Sequence, residues 1–561
     1  LHTNATKYQL GPEAAEVIET QVVIVGGGPV GMGLGLELAR FGVRSVIIER
    51  NESTTTHPKS GACTSRSMEN FRIWGIEDEV SAGGISPDRP NAMWICESIT
   101  GRMIGSVGAA GSSIHTPSLA SQVGQDVVER AIAGALSEFT EADLRRSTEF
   151  LSFEEDADGV TVHAREIGTG TEFAVRAPYL IACDGAGSRV RKALGIKMVG
   201  PDVMGVFANY YYWADTSKVP QACQGVMHTI LPADPSIPPG WVRPGGPDNE
   251  RWTLLQPHAD GQEVLTEDEL IPIVRAHWGI PDLEVRLISV LVWRMSAQIP
   301  ESFGKGRVLL AGDAAHRFPP AGGMGLNSGI QDVMNLGWKL AMVVGGHASP
   351  RLLDTYEPER RPIAESNNEW SQVNARRLPR VNEIFASGDP HAIREALAEL
   401  TKHMENSGQG FGKIYDQGAF IDDDSPRLPH DSKSFWPSDR PGSRFPHMWL
   451  DAALSRSTID WFDRSFVLVC GPNARAWQEA GGIVSARGAV PLAVHTLPSL
   501  AGPFTFPADG AVLVRPDGIV AWRPVQTGGD LVGELEATLA DLLSGAAFDS
   551  SYVHAAVATN A

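Results

Sequence analysis

Apolar and polar positions follow one rhythm at the start of this chain, a different one in the middle, and then return to the first. The run Gln21–Val25, apolar and β-branched from Val22 onward, predicts a buried parallel strand. Gly26-Gly-Gly-Pro-Val-Gly31 follows, then small and apolar residues at Gly31, Leu34, Gly35, Leu38 and Ala39, spaced as one face of a helix. Arg44–Ile48 is a second strand ending at Glu49-Arg50, so the chain opens with a βαβ unit. Helices are expected from Ser65 to Trp74 and over Val127–Leu136, a half-exposed strand or hairpin over Thr148–Ala164, and an apolar strand over Ala177–Cys183. Between about Val203 and Met295 aromatic, alternating segments take over (Phe207–Trp213, Trp252–Gln256, Glu284–Trp293), split by a Pro/Gly-rich loop at Pro232–Pro247. That texture predicts a sheet-rich insertion, and so long a loop is often functional.

Val308–Ala311 returns to the buried-strand pattern, and a helix is expected from Asn327, with apolar positions Ile330, Val333, Met334, Leu340, Ala341 and Val344 and a stop at Gly345-Gly346. Polar helices then lead to a Pro-rich, charged linker at about Phe420–His447. Beyond it come apolar strands at Ser465–Cys470 and Pro491–Val494, a hairpin around Arg515-Pro-Asp-Gly518, and a helix over Asp530–Leu543. These predict a separate small α/β domain.

Composition narrows the classes. A chain of 561 residues is too long for one core and should divide into two or three domains. A net charge of -20 excludes nonspecific nucleic-acid binding, which needs a basic surface to displace counterions. Cys63, Cys96, Cys183, Cys223 and Cys470 are scattered with no C-x-x-C, so neither a metal site nor a dithiol pair is expected. No signal pattern precedes Gln21, and the apolar run from Val22 is broken by glycines, so a cytoplasmic protein without a membrane span is expected.

Three strand ends carry the chemistry. Gly26-x-Gly28-x-x-Gly31 lies between strand and helix, with Glu49 eighteen residues beyond Gly31. Such glycines permit a tight turn, close approach of a pyrophosphate and close helix packing, and the acid accepts bonds from ribose hydroxyls. This says "dinucleotide" without separating FAD from NAD. Cys183-Asp-Gly-Ala-Gly-Ser-Arg-Val-Arg191 again follows a strand, and reads either as an Asp-Gly turn with a capped helix or as a second cofactor contact. Gly312-Asp313 ends the strand Val308–Ala311 and is followed by a Pro/Gly loop and a helix start. A carboxylate there can accept bonds from sugar-type hydroxyls, and N–H groups at the helix start can face an oxygen that becomes anionic.

In this order the three blocks resemble the class A, single-component flavoprotein aromatic hydroxylases, which carry the fingerprint, then D-G-x-x-S-x-V-R, then G-D. The resemblance runs through Asp184-Gly-x-x-Ser188-x-Val-Arg191, Gly312-Asp313, Pro320, Gly325-Leu-Asn327 and Gly329-Ile-Gln-Asp332, and covers most of residues 20–375. Arg440-Pro-Gly-Ser-Arg444 and the Arg515 hairpin resemble the thioredoxin-like domain of the phenol-hydroxylase branch, which includes the chlorophenol, hydroxybiphenyl and hydroxyphenylpropionate hydroxylases.

The resemblance implies an α/β protein with a Rossmann-like FAD-binding domain of the p-hydroxybenzoate hydroxylase type. Its first part would span 1–200, with a substrate-side segment near 80–120, and its second part 299–375. A substrate-binding β-sheet domain would lie at 201–298, a helical segment and linker at 376–440, and the thioredoxin-like domain at 441–561. That last domain, lacking paired cysteines, would serve packing or oligomerisation, for instance as a homodimer. The activity implied is hydroxylation of a phenolic or related aromatic ring with NADPH or NADH and O2, through a flavin C4a-hydroperoxide.

Carried over residue by residue, FAD would be held by Gly26, Gly28, Pro29, Val30, Gly31, Glu49 and Arg50, with Asp313 and Gly312 at the ribityl chain. Lys59 stands where the family usually has arginine near the pyrophosphate, and Gln122 matches a glutamine near the flavin. Gly323, Gly325, Leu326 and Asn327 would offer N–H groups to the ring, and Pro320 would lie over it where oxygen reacts. Asp184 and Arg191 would lie near the cofactor and the nicotinamide route. Gly61 occupies the place of a family histidine that helps ionise the phenol, so that role falls to other residues. Candidates are Tyr211, His228 and Arg243, with Tyr210, Tyr212 and His258 behind them, each weighed against a packing role. A flavin halogenase or reductase would share the fold, but the halogenase W-x-W-x-I-P signature is absent. A non-enzymatic flavin-binding protein is the third class.

Overall fold

A computed structural model describes residues 17–545 apart from 87–88, 90–91, 109–113, 218, 220–224, 249, 388, 405–406, 501 and 525–528. Cys223 and the segment before Val17 fall outside the described residues. Val22–Val25, Ser45–Ile48, Tyr179–Ala182 and Val308–Leu310 are parallel strands of one six-stranded sheet, with Ala142–Arg145 and Gly304–Lys305 at its edges. Val22–Val25 is buried throughout, as its uninterrupted apolar composition requires. The register sets Val25 beside Ile48 and Ala182, and Ala182 beside Leu310. All four strands run the same way, so Gly26, Glu49, Cys183-Asp184 and Ala311-Gly312 leave the sheet together at its carboxyl edge. Ligands bind at that edge in open α/β sheets.

The helix Pro29–Arg40 starts directly behind Gly28, with proline in its first turn where no N–H is needed. It packs against the long helix Met324–Val344. That helix begins three residues earlier than the apolar pattern predicts. Gly323, at φ 68°, turns the chain through a left-handed conformation and caps it.

The insertion is a seven-stranded sheet in the order Val285–Met295, Gly205–Ala214, Arg251–His258, Gly240–Pro244, Met227–Ile230, Ala92–Cys96, Met103–Gly108. Two features differ from the sequence expectation. Pro232–Pro247 is not all loop: Gly240–Pro244 is an interior strand, its short alternation hidden among prolines and glycines. A helix, Glu267–Trp278, covers one sheet face, burying Leu270, Val274 and Trp278 against Tyr210, Tyr212, Val242, Trp252 and Leu254. Its capping box, Thr266 with Glu269, and the left-handed Gly279 that ends it were readable as helix limits. Trp252 and Trp278 meet edge-on at 4.6 Å, worth about 1 kcal/mol beyond burial.

The helices Tyr356–Ser387, Pro390–Met404 and Ser407–Phe411 follow. The stretch expected as a linker is instead packed: Asp439, Arg440, Arg444 and Phe445 are buried. The C-terminal sheet runs Leu492–Thr496, Phe466–Cys470, Ala511–Val514, Val520–Trp522, its first two strands parallel and the rest antiparallel, with helices Arg475–Arg487 and Leu531–Ser544. That order and those directions are the thioredoxin arrangement. Trp338 and Met342 of the long helix share a core with Phe466, Leu468, Leu535 and Leu539, so the unit is docked on the nucleotide-binding part.

Candidate active site

The glycine turn is built as a cradle. Gly26, at φ 107°, lies so close to the next strand that a Cβ would sit 2.3 Å from the Cys183 carbonyl oxygen, and one on Gly31 would sit 1.8 Å from that of Gly26. A Cβ on Gly28, Gly323 or Gly325 would meet nothing within 4 Å. The first pair are glycines for packing; the other three border space. Pro29 and Val30 open the helix, and Val30 underlies Gly312, where a Cβ would touch its Cγ2 at 2.9 Å. Glu49 is buried; its Oε2 accepts the Gly27 N–H at 2.6 Å, and its Oε1 accepts from Asn51 N at 2.8 Å and Nδ2 at 2.6 Å. These bonds fix the carboxylate at the strand end, with lone pairs left for ribose hydroxyls. Arg50 beside it is exposed.

The second block is more structural than the resemblance implies. Asp184 Oδ2 accepts from the N–H groups of Arg189 (2.7 Å) and Val190 (3.2 Å), capping the short helix Arg189–Ala193. Buried Arg191 donates through Nη1 to Ala314 O at 3.0 Å and through Nη2 to Ala186 O at 3.2 Å. Arg191 therefore ties the Asp-Gly turn to the Gly312-Asp313 loop, with its guanidinium committed to carbonyls.

Asp313 keeps an exposed side chain although protein surrounds it, as expected of a carboxylate facing an internal cleft. Burial pushes its carboxyl above the ordinary range, against the pull of His316, Arg317 and Lys59. Across the loop, Met324, Gly325 and Leu326 form the helix's first turn, so their N–H groups have no intrahelical acceptor. The Asn327 side chain has a structural role. Buried, it accepts from Thr64 N (2.8 Å) and Ser67 Oγ (2.6 Å) and donates to Ala62 O (3.1 Å) and Gly323 O (2.6 Å). Asn327 thus pins the 62–67 segment to the helix start through its side chain, and the Gly323 N–H, expected to face the ring, donates instead to Pro320 O at 3.0 Å, so the unpaired amides are those of residues 324–326. Pro320 is exposed at the loop, and Gln122 is half-buried next to the Cys63–Ser121 bridge. These features fit FAD: a pyrophosphate turn, a carboxylate at each end for hydroxyls, and free amides where a ring carbonyl would lie.

The sheet meets this cleft through one face. Ser289, Tyr211, Thr253 and Arg243 stand directly opposite one another on four neighbouring strands and so form one row. The loop after Thr56 closes over that row. His57 Nδ1 lies 2.8 Å from Ser289 Oγ, and its ring sits edge-on to Tyr211 at 5.9 Å. Arg243 donates through Nη2 to Ser60 O (2.9 Å) and Pro58 O (3.3 Å), and through Nε to Thr253 Oγ1 (3.3 Å). None of these acceptors is a carboxylate. Burial lowers the Arg243 guanidinium to about 10, and burial with Lys59 and Arg243 nearby lowers His57 to about 4. His57 is therefore a neutral imidazole at pH 7, and its Nε2 is buried without a partner. Burial also raises the Tyr211 hydroxyl.

A Cβ on Gly61 would lie 0.9 Å from Arg243 Nη1. The arginine fills the volume where the resemblance places a histidine.

His228 does not belong here. Its partner Val242 faces the covering helix, and alternation puts the His228 ring on that same side, edge-on to Trp94 and near Trp252. Its Nε2 accepts the Gly225 N–H at 3.3 Å, a structural role. Tyr210 and Tyr212 point the same way, their hydroxyls bonded to Leu265 N and Trp278 Nε1, and His258 bonds Gln262 O at the exposed strand end. His57 and Ser289 were missed by sequence reading. Only the His57-Pro-Lys59 loop offered a signal, and nothing in the sequence placed Ser289 opposite it.

The pattern of the family described as "FAD binding domain" matches residues 19–371, and that of "Aromatic-ring hydroxylase, C-terminal" matches residues 438–546. The chain is 32% identical to a 4-methyl-5-nitrocatechol 5-monooxygenase from Burkholderia sp, covering 94% of this chain and 97% of the relative. It is 31% identical to a phenol 2-monooxygenase from Pseudomonas sp. (strain EST1001), covering 96% and 95%. Among solved structures, the flavin-dependent monooxygenase PieE in complex with FAD and substrate superposes with a TM-score of 0.85 at 28% identity, covering 94% of this chain and 99% of that one. With both patterns matched in order and relatives at 31–32% identity aligned over nearly the whole chain, the chain belongs to the class A FAD-dependent aromatic-ring hydroxylases.

Proposed function

We propose that this enzyme hydroxylates a phenol whose ring lies on the Ser289–Tyr211–Thr253–Arg243 face, with the phenol oxygen held as an anion against Arg243 Nη1. The observation that carries this reading is Arg243 standing in the place left by Gly61. Two backbone carbonyls fix the guanidinium, and Nη1 has no described hydrogen-bond partner. A half-buried cation without a carboxylate favours an anionic guest, because the desolvation cost of the guanidinium is already met by folding.

The glycine turn, Glu49 and Asp313 would hold FAD, which when reduced by NADH or NADPH would supply the activated oxygen for the ring. The chain's own residues do the rest. Arg243 favours the phenolate, which is richer in electrons at its ring carbons than the phenol. Neutral His57, through Ser289, and the Tyr211 ring wall the site and limit water. Met324, Gly325 and Leu326 present amides toward developing negative charge, and Pro320 borders the same cleft. A cytoplasmic location and a homodimeric state go with this reading, open to fractionation and sedimentation. Among the described residues no helix is long and apolar enough to cross a membrane.

The test is turnover of the FAD-loaded enzyme with NADH or NADPH, a panel of phenols and isotopically labelled dioxygen. One labelled oxygen atom should appear in a catechol-type product, and Arg243→Met should lose most of that turnover while keeping its FAD. NAD(P)H oxidation that yields only peroxide with every phenol tested would contradict the reading.

A further inference from the structure

The Arg515-Pro-Asp-Gly518 hairpin belongs to the C-terminal domain, yet its arginine points away from that domain's own core. Arg515 is fully buried, and its Nη1 and Nη2 donate to Glu359 Oε1 (2.8 Å) and Oε2 (2.9 Å), while Nε donates to Asp517 Oδ1 (3.0 Å). Glu359 Oε2 also accepts from Lys339 Nζ at 2.9 Å and from Asn335 Nδ2. Asn335 Nδ2 reaches the Tyr415 hydroxyl at 3.4 Å, which accepts in turn from Arg360 Nη1 at 3.4 Å. Arg360 Nε donates to Asp332 Oδ1 at 2.8 Å. Asp332 Oδ2 then accepts the Gly312 N–H at 3.1 Å and lies 2.7 Å from His316 Nε2. His316 stacks on Phe318 with ring centroids 4.8 Å apart. The path is continuous, buried, and ends on the backbone of the loop that carries Asp313.

We infer that Arg515 is a positioning residue for FAD, acting through Glu359, Asn335, Tyr415, Arg360 and Asp332 to hold the Gly312–His316 loop. The charges balance. Arg515, Lys339 and Arg360 face Asp517, Glu359 and Asp332, so loss of one member leaves a partner uncompensated in the interior. An isolated domain-docking contact would need only the Arg515–Glu359 fork. Here Glu359 spends its other bonds on the long helix and the Ala419 N–H (2.7 Å), and the chain of contacts carries on to the cleft. In this reading a thioredoxin-like unit without a dithiol keeps the cofactor loop in register.

The test uses the full chain freed of FAD and then titrated with it. Arg515→Met should weaken FAD binding about tenfold and speed amide hydrogen exchange over residues 311–316 in the FAD-free protein. Asp463→Asn, which breaks the Arg40–Asp463 contact at the same domain junction but lies off the path, should lower the melting temperature without either effect. In an Asp332→Asn background, Arg515→Met should add nothing further to the loss of FAD affinity. If Arg515→Met does not fold, Tyr415→Phe removes the middle link and should show the same pair of effects. The inference is overturned by unchanged FAD affinity and exchange in these variants, by an equal loss in Asp463→Asn, or by additive losses in the Asp332→Asn background. Failure of the wild-type chain to bind FAD would instead strike at the family assignment.

Discussion

The Arg243 guanidinium occupies the volume that a side chain at residue 61 would fill, with Nη1 0.9 Å from the position of a Cβ on Gly61. Such a contact means that the two positions cannot vary independently. Gly61→Ala should displace Arg243 from the Pro58 and Ser60 carbonyls. We expect kcat/KM for phenols to fall about tenfold or more, a transition-state loss of roughly 1.4 kcal/mol. FAD content should stay unchanged. The double variant Gly61→His with Arg243→Ser relieves the clash and should recover part of the loss, measured by steady-state kinetics over the same panel.

Asp313 offers its carboxylate to the cleft with few protein partners, so its contribution should appear in cofactor affinity. Asp313→Ala should weaken FAD about 100-fold, from two hydrogen bonds of roughly 1.5 kcal/mol each. Asp313→Asn should lose less. Recovery of FAD fluorescence on dilution checks both values.

Acid sensitivity follows from His57 and His447, each lowered from 6.5 to about 4, chiefly by burial. The unfolded chain protonates these imidazoles first, so the folded state loses ground as pH falls. Stability present above about pH 6.5 should decline through the window down to pH 4, by about 1–3 kcal/mol for His57. Denaturant melts from pH 7.5 to 4 should show this slope, and His57→Asn should flatten part of it. A profile that is level between pH 6.5 and 4.5 would contradict the assignment.

Thiol chemistry should be absent from the C-terminal domain. Cys470 lies at the strand end in its core and is fully buried, and burial pushes its thiol up to about 12, as it does for Cys63. Neither should react with iodoacetamide in the native protein, and Cys470→Ala should leave turnover unchanged. Mass spectrometry of labelled peptides reads this directly.

The nucleotide half was legible in the sequence because its elements are local. A β-branched run, a glycine turn and an acid at a strand end announce themselves within thirty residues, and Gly26, Glu49 and Asp313 lie at the edge where that pattern puts them. The sheet was legible as a texture but not as a surface. Whether Arg243 or His228 faces the cleft depends on strand register, and His228 lost its place because Val242, its partner, packs on the helix Glu267–Trp278. That helix, in turn, was hidden inside a region read as strands. Asn327 was assigned by motif to the ligand, whereas its side-chain amide is taken up by Ala62, Thr64 and Ser67, contacts that span 260 to 265 residues of sequence. The buried path from Arg515 to Gly312 was invisible for the same reason, since no two successive members from Arg515 to Asp332 are sequence neighbours except through folding.

The claim that Arg243 replaces the residue-61 side chain as the group that stabilises the substrate anion is tested most directly by the ionisation of a bound phenol. Difference absorption spectra of a chromophoric nitrophenol in the FAD-loaded enzyme, titrated over pH, give the pKa of the bound hydroxyl. In the wild type that pKa should lie about one unit or more below its value in water, the effect of a nearby cation, and in Arg243→Met it should return to or above that value. A bound phenol that titrates identically in the two proteins would contradict the account.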